Sequence, residues 1–280
     1  MGSSVLLGAC SAERDTVTVS SSVDSAKAIV ASGGFIVVEL YSQSCVPCKV
    51  FDRAVEEDQT IQEALKGMVL VALDVDTAEG KMFATRHLVD VTPTYLLLNS
   101  SGDLIGRWTG YTEPQNWIRE LSLLLANPVS VPERQARFAS HPTFEDAVAL
   151  GNLATSHREA FDHFLSARSL DLRSAKEADI PILLFRSAFF GVGTQEFTPK
   201  EVGAVIAEIL QSEDPKPEYV MEIGERLLGV VHFVGIDVVA PYLEQVHPHV
   251  AAISSLELSM RRQEFLSQYA ASVKEDSVNS

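Results

Sequence analysis

Two cysteines, in the segment Cys45-Val46-Pro47-Cys48, come directly after the apolar run Phe35–Tyr41 and before a segment of helical character. A short apolar run rich in β-branched residues predicts a buried strand. A helix that starts at the first cysteine places Cys45 beside unpaired backbone N–H groups and the positive end of the helix dipole. Such a position lowers a thiol pKa from about 8.5 to between roughly 3.5 and 7.5. Because Cys48 lies one helical turn further on, the two thiols can close a disulfide.

The cysteine pair would also fit half of a zinc site, because Cys-x-x-Cys is a common zinc-binding spacing. The one other cysteine is Cys10, and the seven histidines are scattered along the chain. His247 and His249 flank Pro248, which predicts a loop there. Cu(I) handling by the cysteine pair is a weaker alternative, because thiolates suit Cu(I). Redox chemistry is favoured, and no metal site is predicted.

An acidic residue, Glu39, lies inside the predicted strand, six residues before Cys45. A charged side chain in a buried strand is costly unless it has a partner or a chemical role. Burial would raise the pKa of the carboxyl group, which suits a group that transfers protons. The alternative is that Glu39 points outward at the edge of a sheet.

The elements predicted after the cysteines alternate between strand and helix. They are a strand at Val69–Val75, a loop at 76–80, a helix at Lys81–His87, a strand that Pro93 opens, a hairpin turn at 99–103, a return strand at 104–108 and a helix at Trp117–Leu125. A proline is tolerated in a strand at its first position or at an edge.

This order of elements and motifs resembles the thioredoxin superfamily over residues 16–127. The matching positions are Glu39, the Cys45-Val-Pro-Cys48 motif, Asp76, Thr92-Pro93 and Gly110. The sequence after Cys48 looks most like the envelope reductase branch, which includes the C-terminal thioredoxin domain of DsbD. Two positions depart from the family pattern, because Ser44 replaces the usual tryptophan and Glu39 replaces the usual aspartate.

The resemblance implies an α/β thioredoxin fold with a redox-active disulfide and no other cofactor. It implies that Cys45 is the nucleophile and Cys48 the resolving cysteine, with Glu39 helping to deprotonate Cys48. It further implies a cis-proline loop, Thr92-Pro93, against the disulfide. Thr92, Pro93, Val46 and Pro47 are then the expected substrate-binding residues.

The beginning of the chain contains Leu7-Gly-Ala-Cys10, which has the form of a lipobox in which the cysteine is lipidated. Residues 1–15 are therefore interpreted as a truncated signal or a disordered N-terminus, with Cys10 as the lipidation candidate. The upstream sequence is shorter than a secretory signal requires. A chance match is the alternative.

The second half of the chain predicts helices alone. The prolines of segment 128–133 predict a linker, and residues 134–280 predict an all-α helical-hairpin domain. Ala160, Phe164 and Ala167 share one helical face and resemble the second helix of a tetratricopeptide repeat. Predicted helix pairs begin near 144, 179 and 217, a spacing typical of such repeats. An irregular bundle is the alternative.

The charge balance limits the class of partner. A net charge of −16 argues against nucleic acid and against an anionic membrane surface. No stretch is long enough to span a bilayer.

The sequence therefore predicts an oxidoreductase that reduces a disulfide-bearing protein substrate and is re-reduced by an upstream protein. The periplasm or cell envelope is the expected location, and the cytoplasm is the alternative. The competing functional hypothesis is a non-catalytic adaptor or chaperone that binds proteins through its helical domain.

Overall fold

The computed structural model of the protein describes residues 17–30 and 33–279. Cys10 and the predicted signal at 1–15 lie outside the described residues, so both stay predictions. The chain divides into two compact units between Arg137 and Phe138. We call them the first unit and the helical unit.

The first unit alternates strands and helices. In chain order its elements are β1 (Thr18–Ser20), α1 (Val23–Ile29), β2 (Phe35–Tyr41), α2 (Val46–Glu57), α3 (Gln59–Ala64), β3 (Val69–Asp74), α4 (Ala78–Arg86), β4 (Thr94–Asn99), β5 (Leu104–Thr109) and α5 (Pro114–Ala126). The element order confirms the predicted strands and adds β1, α1 and α3. None of the three was predicted, because each is short: three residues in β1, seven in α1 and six in α3.

The five strands form one sheet in the order β1-β3-β2-β4-β5. Strand β3 runs parallel to β1 and β2, while β4 is antiparallel to β2 and β5. Strand β2 is therefore paired on both sides, which explains why every residue from Ile36 to Leu40 is buried. The strand that leads to the two cysteines lies at the centre of the sheet.

Aromatic side chains fill the core on one face of the sheet. Phe51 of α2, Tyr95 of β4 and Trp117 of α5 are each 2 % exposed or less. The ring of Phe51 lies 4.8 Å from that of Tyr95 and 5.1 Å from that of Trp117, centroid to centroid. Edge-on and tilted ring pairs of this kind add to the free energy gained by burial. They hold α2, which carries the cysteines, against the sheet.

The helical unit contains no strand among its described residues, 138–279. Its helices are α7 (Phe144–Leu153), α8 (His157–Leu170), α9 (Leu172–Glu177), α10 (Ile180–Gly193), α11 (Pro199–Leu210), α12 (Pro217–Val234), α13 (Ile236–Ala252) and α14 (Ser259–Asn279), and α6 (Val131–Ser140) crosses the division between the units. The predicted fold class, a thioredoxin-type α/β fold followed by helices, is confirmed. The tetratricopeptide interpretation stays a prediction.

Local sequence signals account for several helix contacts and helix starts. Ala160, Phe164 and Ala167 are buried on one face of α8, as predicted. A Cβ at Gly151 would lie 2.5 Å from the Phe164 ring, so the glycine allows α7 and α8 to pack closely. Thr198 caps α11 in a capping box with Glu201, as its sequence predicts.

Three predictions about loops differ from the structure. Helix α4 begins at Ala78, within the predicted loop 76–80, because the Thr77 hydroxyl caps it by accepting a hydrogen bond from the Gly80 N–H. Pro248 lies inside α13, not in a loop, because the burial of Leu243, Val246 and Val250 offsets the hydrogen bond that proline removes. Helix α6 begins at Val131, within the predicted linker 128–133. Glu133 accepts hydrogen bonds from the backbone N–H and the hydroxyl of Ser130, at 2.8 and 2.7 Å. Ser-x-x-Glu is a capping signal that the sequence interpretation missed.

Replacement of Gly80 tests the close approach of α4 to the end of β3. A Cβ at this position would overlap the backbone carbonyl of Asp74, which cannot move as a side chain can. We expect Gly80→Ala to lower the unfolding free energy of the first unit by about 1–3 kcal/mol. Both tryptophans of the chain lie in this unit, so denaturant unfolding followed by tryptophan fluorescence measures it selectively. Lys81→Ala, at an exposed neighbour, is the control, and equal losses in both variants would contradict the explanation.

Candidate active site

Cys45 and Cys48 form a disulfide at the start of α2, with their Cα atoms 5.4 Å apart. Cys45 is the N-cap residue of the helix, and Pro47 lies in its first turn. The backbone N–H of Cys48 points at the sulfur of Cys45, with an N–S distance of 3.2 Å. Cys45 is 8 % exposed and Cys48 is 1 % exposed. The strand β2 and the helix α2 therefore place one sulfur nearer to solvent and the other beneath it.

This position favours negative charge on the Cys45 sulfur when the disulfide is reduced. The first N–H groups of a helix have no partner within the helix, and the helix dipole adds a partial positive charge there. The Cys48 N–H, which points at the sulfur in the disulfide, can donate a hydrogen bond to a thiolate. A thiolate is the nucleophilic form of cysteine.

Glu39 is buried in the central strand, with 1 % of its surface exposed. Its register neighbours are Ala72 on β3 and Tyr95 on β4. The alternative that Glu39 points outward at a sheet edge is therefore wrong, because β2 has a partner strand on each side. Within the described structure neither carboxylate oxygen has a hydrogen-bond partner. Burial, with a smaller contribution from Asp52, raises the pKa of Glu39 to about 8.

The face of the sheet on which Glu39 lies follows from strand alternation. Val37 lies two residues before Glu39 and belongs to the core formed with Phe51 and Tyr95. Residues two apart in a strand point to the same face. Glu39 therefore lies on the face of the sheet that is covered by α2, the helix that carries the disulfide.

Two residues near Glu39 were missed by the sequence interpretation. Asp52 lies one helical turn after Cys48. Partial loss of hydration raises the pKa of its carboxyl group, and the negative charge of Glu56 raises it further. Tyr95 is fully buried. Burial raises the pKa of its phenol, and the negative charge of Glu39 raises it further, so the phenol stays neutral. The spacing of four between Cys48 and Asp52, which places them on one helical face, was the available signal. No sequence signal pairs Tyr95 with Glu39, because their contact depends on strand register.

The loop before β4 lies beside the loop before α2. The peptide bond between Thr92 and Pro93 is cis, as the resemblance implied. The hydroxyls of Ser42 and Thr92 lie 3.4 Å apart. The backbone N–H of Gly110 donates to the Pro93 carbonyl at 2.8 Å, with Gly110 at a φ of 81°. Thr92 and Pro93 are thus held on the side of the sheet end where Cys45 emerges.

Apolar side chains remain exposed on both of these loops. Val46 is 69 % exposed, and Pro47 beside it is also exposed. Val91, which precedes the cis-proline loop, is 51 % exposed. Of the predicted substrate-binding residues, Val46 and Pro47 are exposed, Thr92 is half-buried and Pro93 is buried.

A half-buried arginine supports the chain that leads to the cis-proline loop. Arg107 of β5 donates hydrogen bonds to the carbonyls of His87 and Leu88, where α4 ends. Burial, with smaller effects of Arg86 and Arg107, lowers the pKa of His87 to about 4. His87 is therefore neutral at physiological pH and acts here as a packing residue.

No group of three or more His, Cys, Asp or Glu residues in the described part of the chain is arranged to hold a metal ion. No described helix has the length and apolar character needed to cross a bilayer.

In comparison with known proteins, residues 23–124 match the family model described as "Thioredoxin-like domain". The chain is 29 % identical over 102 residues to the "Thiol:disulfide interchange protein DsbD" of Actinobacillus pleuropneumoniae, which covers 34 % of this chain and 18 % of that protein. It is 33 % identical over 82 residues to the protein of the same name from Pseudomonas fluorescens, covering 29 % of this chain and 14 % of that protein. The chain thus spans less than a fifth of the length of either relative.

Solved structures of thioredoxins are also similar to part of the chain. The solution structure of a thioredoxin from Thermus thermophilus is 23 % identical, with a TM-score of 0.37, and the match covers 45 % of this chain and 97 % of that one. The crystal structure of thioredoxin from Trypanosoma brucei brucei is 20 % identical, with a TM-score of 0.33, covering 42 % of this chain and 97 % of that one.

The buried carboxyl group predicts a pH-dependent stability. The pKa of Glu39 rises from 4.5 to about 8 on folding, so the folded state favours the protonated form. At about 1.36 kcal/mol per pKa unit, ionising Glu39 in the folded state costs on the order of 5 kcal/mol. The cost is absent below pH 4.5, grows as the pH rises and is complete above about pH 8. We therefore expect the unfolding free energy of the first unit to fall between pH 5 and pH 9.

The variant Glu39→Gln should remove most of this decrease and should be more stable than the parent at pH 9. Tryptophan fluorescence during denaturant unfolding of the oxidised protein measures both effects. Glu57→Gln removes one carboxylate from the exposed surface of α2 and is the matched control. A pH dependence that survives in Glu39→Gln would show that another group causes it.

Proposed function

We propose, on the premise that residues 23–124 form a thioredoxin-like domain, that this chain is a thiol–disulfide oxidoreductase that reduces protein disulfides in the cell envelope. The observation that carries the proposal is the Cys45–Cys48 disulfide at the start of α2, with the buried acid Glu39 on the strand that leads to it. Both DsbD proteins to which the chain is similar are named for thiol–disulfide interchange.

In the reduced enzyme the Cys45 thiolate attacks one sulfur of the substrate disulfide. The S–S bond of the substrate breaks, a mixed disulfide with Cys45 forms, and the other substrate sulfur leaves as a thiolate that takes up a proton. The position of Cys45 at the helix N-terminus supports this role, because it stabilises the attacking thiolate. Its greater exposure relative to Cys48 supports the same order.

Cys48 then resolves the mixed disulfide. In the ionised fraction of Glu39, the carboxylate takes the proton of the Cys48 thiol, and the resulting thiolate attacks the Cys45 sulfur. The Cys45–Cys48 disulfide forms, and the second substrate sulfur leaves as a thiolate. Two electrons have passed from the enzyme to the substrate. With a pKa of about 8, Glu39 keeps this proton at neutral pH and can return it to Cys48 when the disulfide is reduced again.

The exposed residues around the disulfide would hold the substrate chain. Thr92 offers backbone groups to an extended segment, and the substrate would pack on the side chains of Val46 and Pro47. Backbone pairing of this kind gives affinity without strict sequence preference. The buried Pro93 would support the loop from beneath.

An upstream protein dithiol would restore the reduced enzyme, and we propose no cofactor beyond the Cys45–Cys48 disulfide. The resemblance of the sequence after Cys48 to the envelope reductase branch favours the cell envelope over the cytoplasm as the location. Lipid attachment at Cys10 would be one way to retain the protein there.

Reduction of an insulin-type disulfide in the presence of dithiothreitol tests the proposed activity. We expect turnover by the full chain, none by Cys45→Ser, and accumulation of mixed disulfides by Cys48→Ala, because resolution then fails. Ser44→Ala, at the exposed neighbour of Cys45, is the control and should retain turnover. Turnover by the full chain no faster than by Cys45→Ser would contradict the proposal and leave the adaptor hypothesis.

Glu39→Gln separates resolution from attack. The amide keeps the shape of the side chain but cannot accept the Cys48 proton, so we expect mixed disulfides to resolve about 10²-fold more slowly at pH 7. Alkylation of reduced Cys45 should change little. Stopped-flow measurement across the pH range gives both rates, with Glu57→Gln as the control. Identical resolution rates at every pH would place Glu39 outside the mechanism.

A further inference from the structure

The helical unit contains a cavity of about 190 Å³ that the proposed redox chemistry does not use. Helices α8, α9, α10 and α11 form its walls, and the loop before α12 closes one end. Its floor is apolar: Leu184 and Ile209 are buried, and Leu165 and Val205 are partly buried. Leu172, at the mouth, is 63 % exposed. An exposed leucine beside an apolar cavity marks a surface that a partner can cover.

Polar contacts define the two ends of the cavity. At one end Arg168 of α8 pairs with Glu208 of α11. At the other end the Lys216 ammonium donates to the Lys176 carbonyl at 3.3 Å and pairs with Asp179 at 2.5 Å. These contacts join helices that are distant in sequence, so the walls are held in place before any ligand arrives.

The size of the cavity selects among ligand classes. Pockets for cofactors and drug-sized molecules are commonly about 300–1,000 Å³. A cavity of about 190 Å³ is too small for a nucleotide or a flavin, but it accommodates one apolar side chain of a polypeptide. Apolar side chains that enter pockets of this kind are the usual anchors of a bound peptide.

The charges at the rim of the cavity indicate which charged group of a ligand would lie beside its apolar side chain. Arg168 and Lys216 each have a carboxylate partner, whereas the Lys176 ammonium, among the described residues, has no ion-pair partner. Lys176 and Lys216 lie at the same end of the cavity, where Asp179 offsets one positive charge. The carboxylate of Asp214, on the loop before α12, also lines the cavity and would repel a second carboxylate brought by a ligand.

We propose that this cavity binds a leucine-sized apolar side chain of a protein partner, with a neighbouring carboxylate of that partner paired to Lys176. The inference rests on the proposed function in one respect, namely that the partner is a disulfide-bearing substrate of the first unit. The helical unit would then select the substrate while the first unit reduces it.

Methyl NMR on the oxidised full-length chain tests the cavity without any redox step. Three probes differ in one feature each: acetyl-leucyl-aspartic acid amide, acetyl-leucyl-lysine amide and acetyl-seryl-aspartic acid amide. We expect the leucyl-aspartyl probe to shift the methyl signals of Leu165, Leu184, Val205 and Ile209. The leucyl-lysyl probe should bind about threefold more weakly, and the seryl probe should shift none of these signals.

Matched variants test each contact. Lys176→Glu should reverse the preference between the aspartyl and lysyl probes, whereas Lys200→Glu, the same charge change at an exposed site on α11, should not. Asp214→Asn should tighten binding of the aspartyl probe. Leu172→Ser should weaken binding of both leucyl probes, and Leu256→Ser, at a leucine 88 % exposed elsewhere in the unit, should not.

Three results would overturn the inference. They are no shift of the cavity methyls at millimolar probe, equal shifts with the seryl probe, and a charge preference that Lys176→Glu leaves unchanged. The insulin assay of the proposed function is independent of these measurements. Loss of turnover with intact probe binding would refute the redox proposal alone, and the converse would refute the cavity alone.

Discussion

The pairing of β2 on both sides is the constraint on which the rest of the first unit depends. With β3 on one side and β4 on the other, the strand has no solvent-exposed edge, and α2 covers the face on which Glu39 lies, so its carboxyl group is buried. Burial then sets its protonation state, because a charged carboxylate without hydrogen bonds is costly in the interior. The same strand ends where α2 begins, so one element positions both the acid and the two cysteines.

Opposing electrostatic environments are thus combined within a few residues. The N-terminus of α2 favours negative charge on Cys45, whereas the interior beneath it disfavours negative charge on Glu39. The negative charge of Asp52, which also lies on α2, further disfavours ionisation of Glu39. A thiol that ionises readily and a carboxyl that retains its proton near neutral pH form a suitable pair for proton-coupled disulfide exchange. The buried aromatic core of Phe51, Tyr95 and Trp117 lies on the same face of the sheet as Glu39.

The helical unit lies outside the part of the chain that matches a known family, which ends at residue 124. Two features point to recognition: the pre-formed apolar cavity and the exposed leucine at its mouth. A helical unit that binds a substrate would raise the local concentration of its disulfide near Cys45, which is the usual benefit of linking a binding module to a second site.

The sequence by itself determined the features that depend on neighbours along the chain. Local periodicity and capping residues predict four features that the structure contains. They are the strand before Cys45, the helix after it, the capped start of α11 and the buried face of α8. The cis bond before Pro93 came from resemblance to a family, not from local pattern.

Only the tertiary structure decided the features that combine distant residues. Four features require partners that lie far apart in sequence. They are the edge pairing of β1, the register pairing of Glu39 with Tyr95, the helical conformation around Pro248 and the cavity of the helical unit. Residue patterns record local propensity and average burial. Strand register and desolvation instead sum contributions from several elements, so they are set only when those elements pack together.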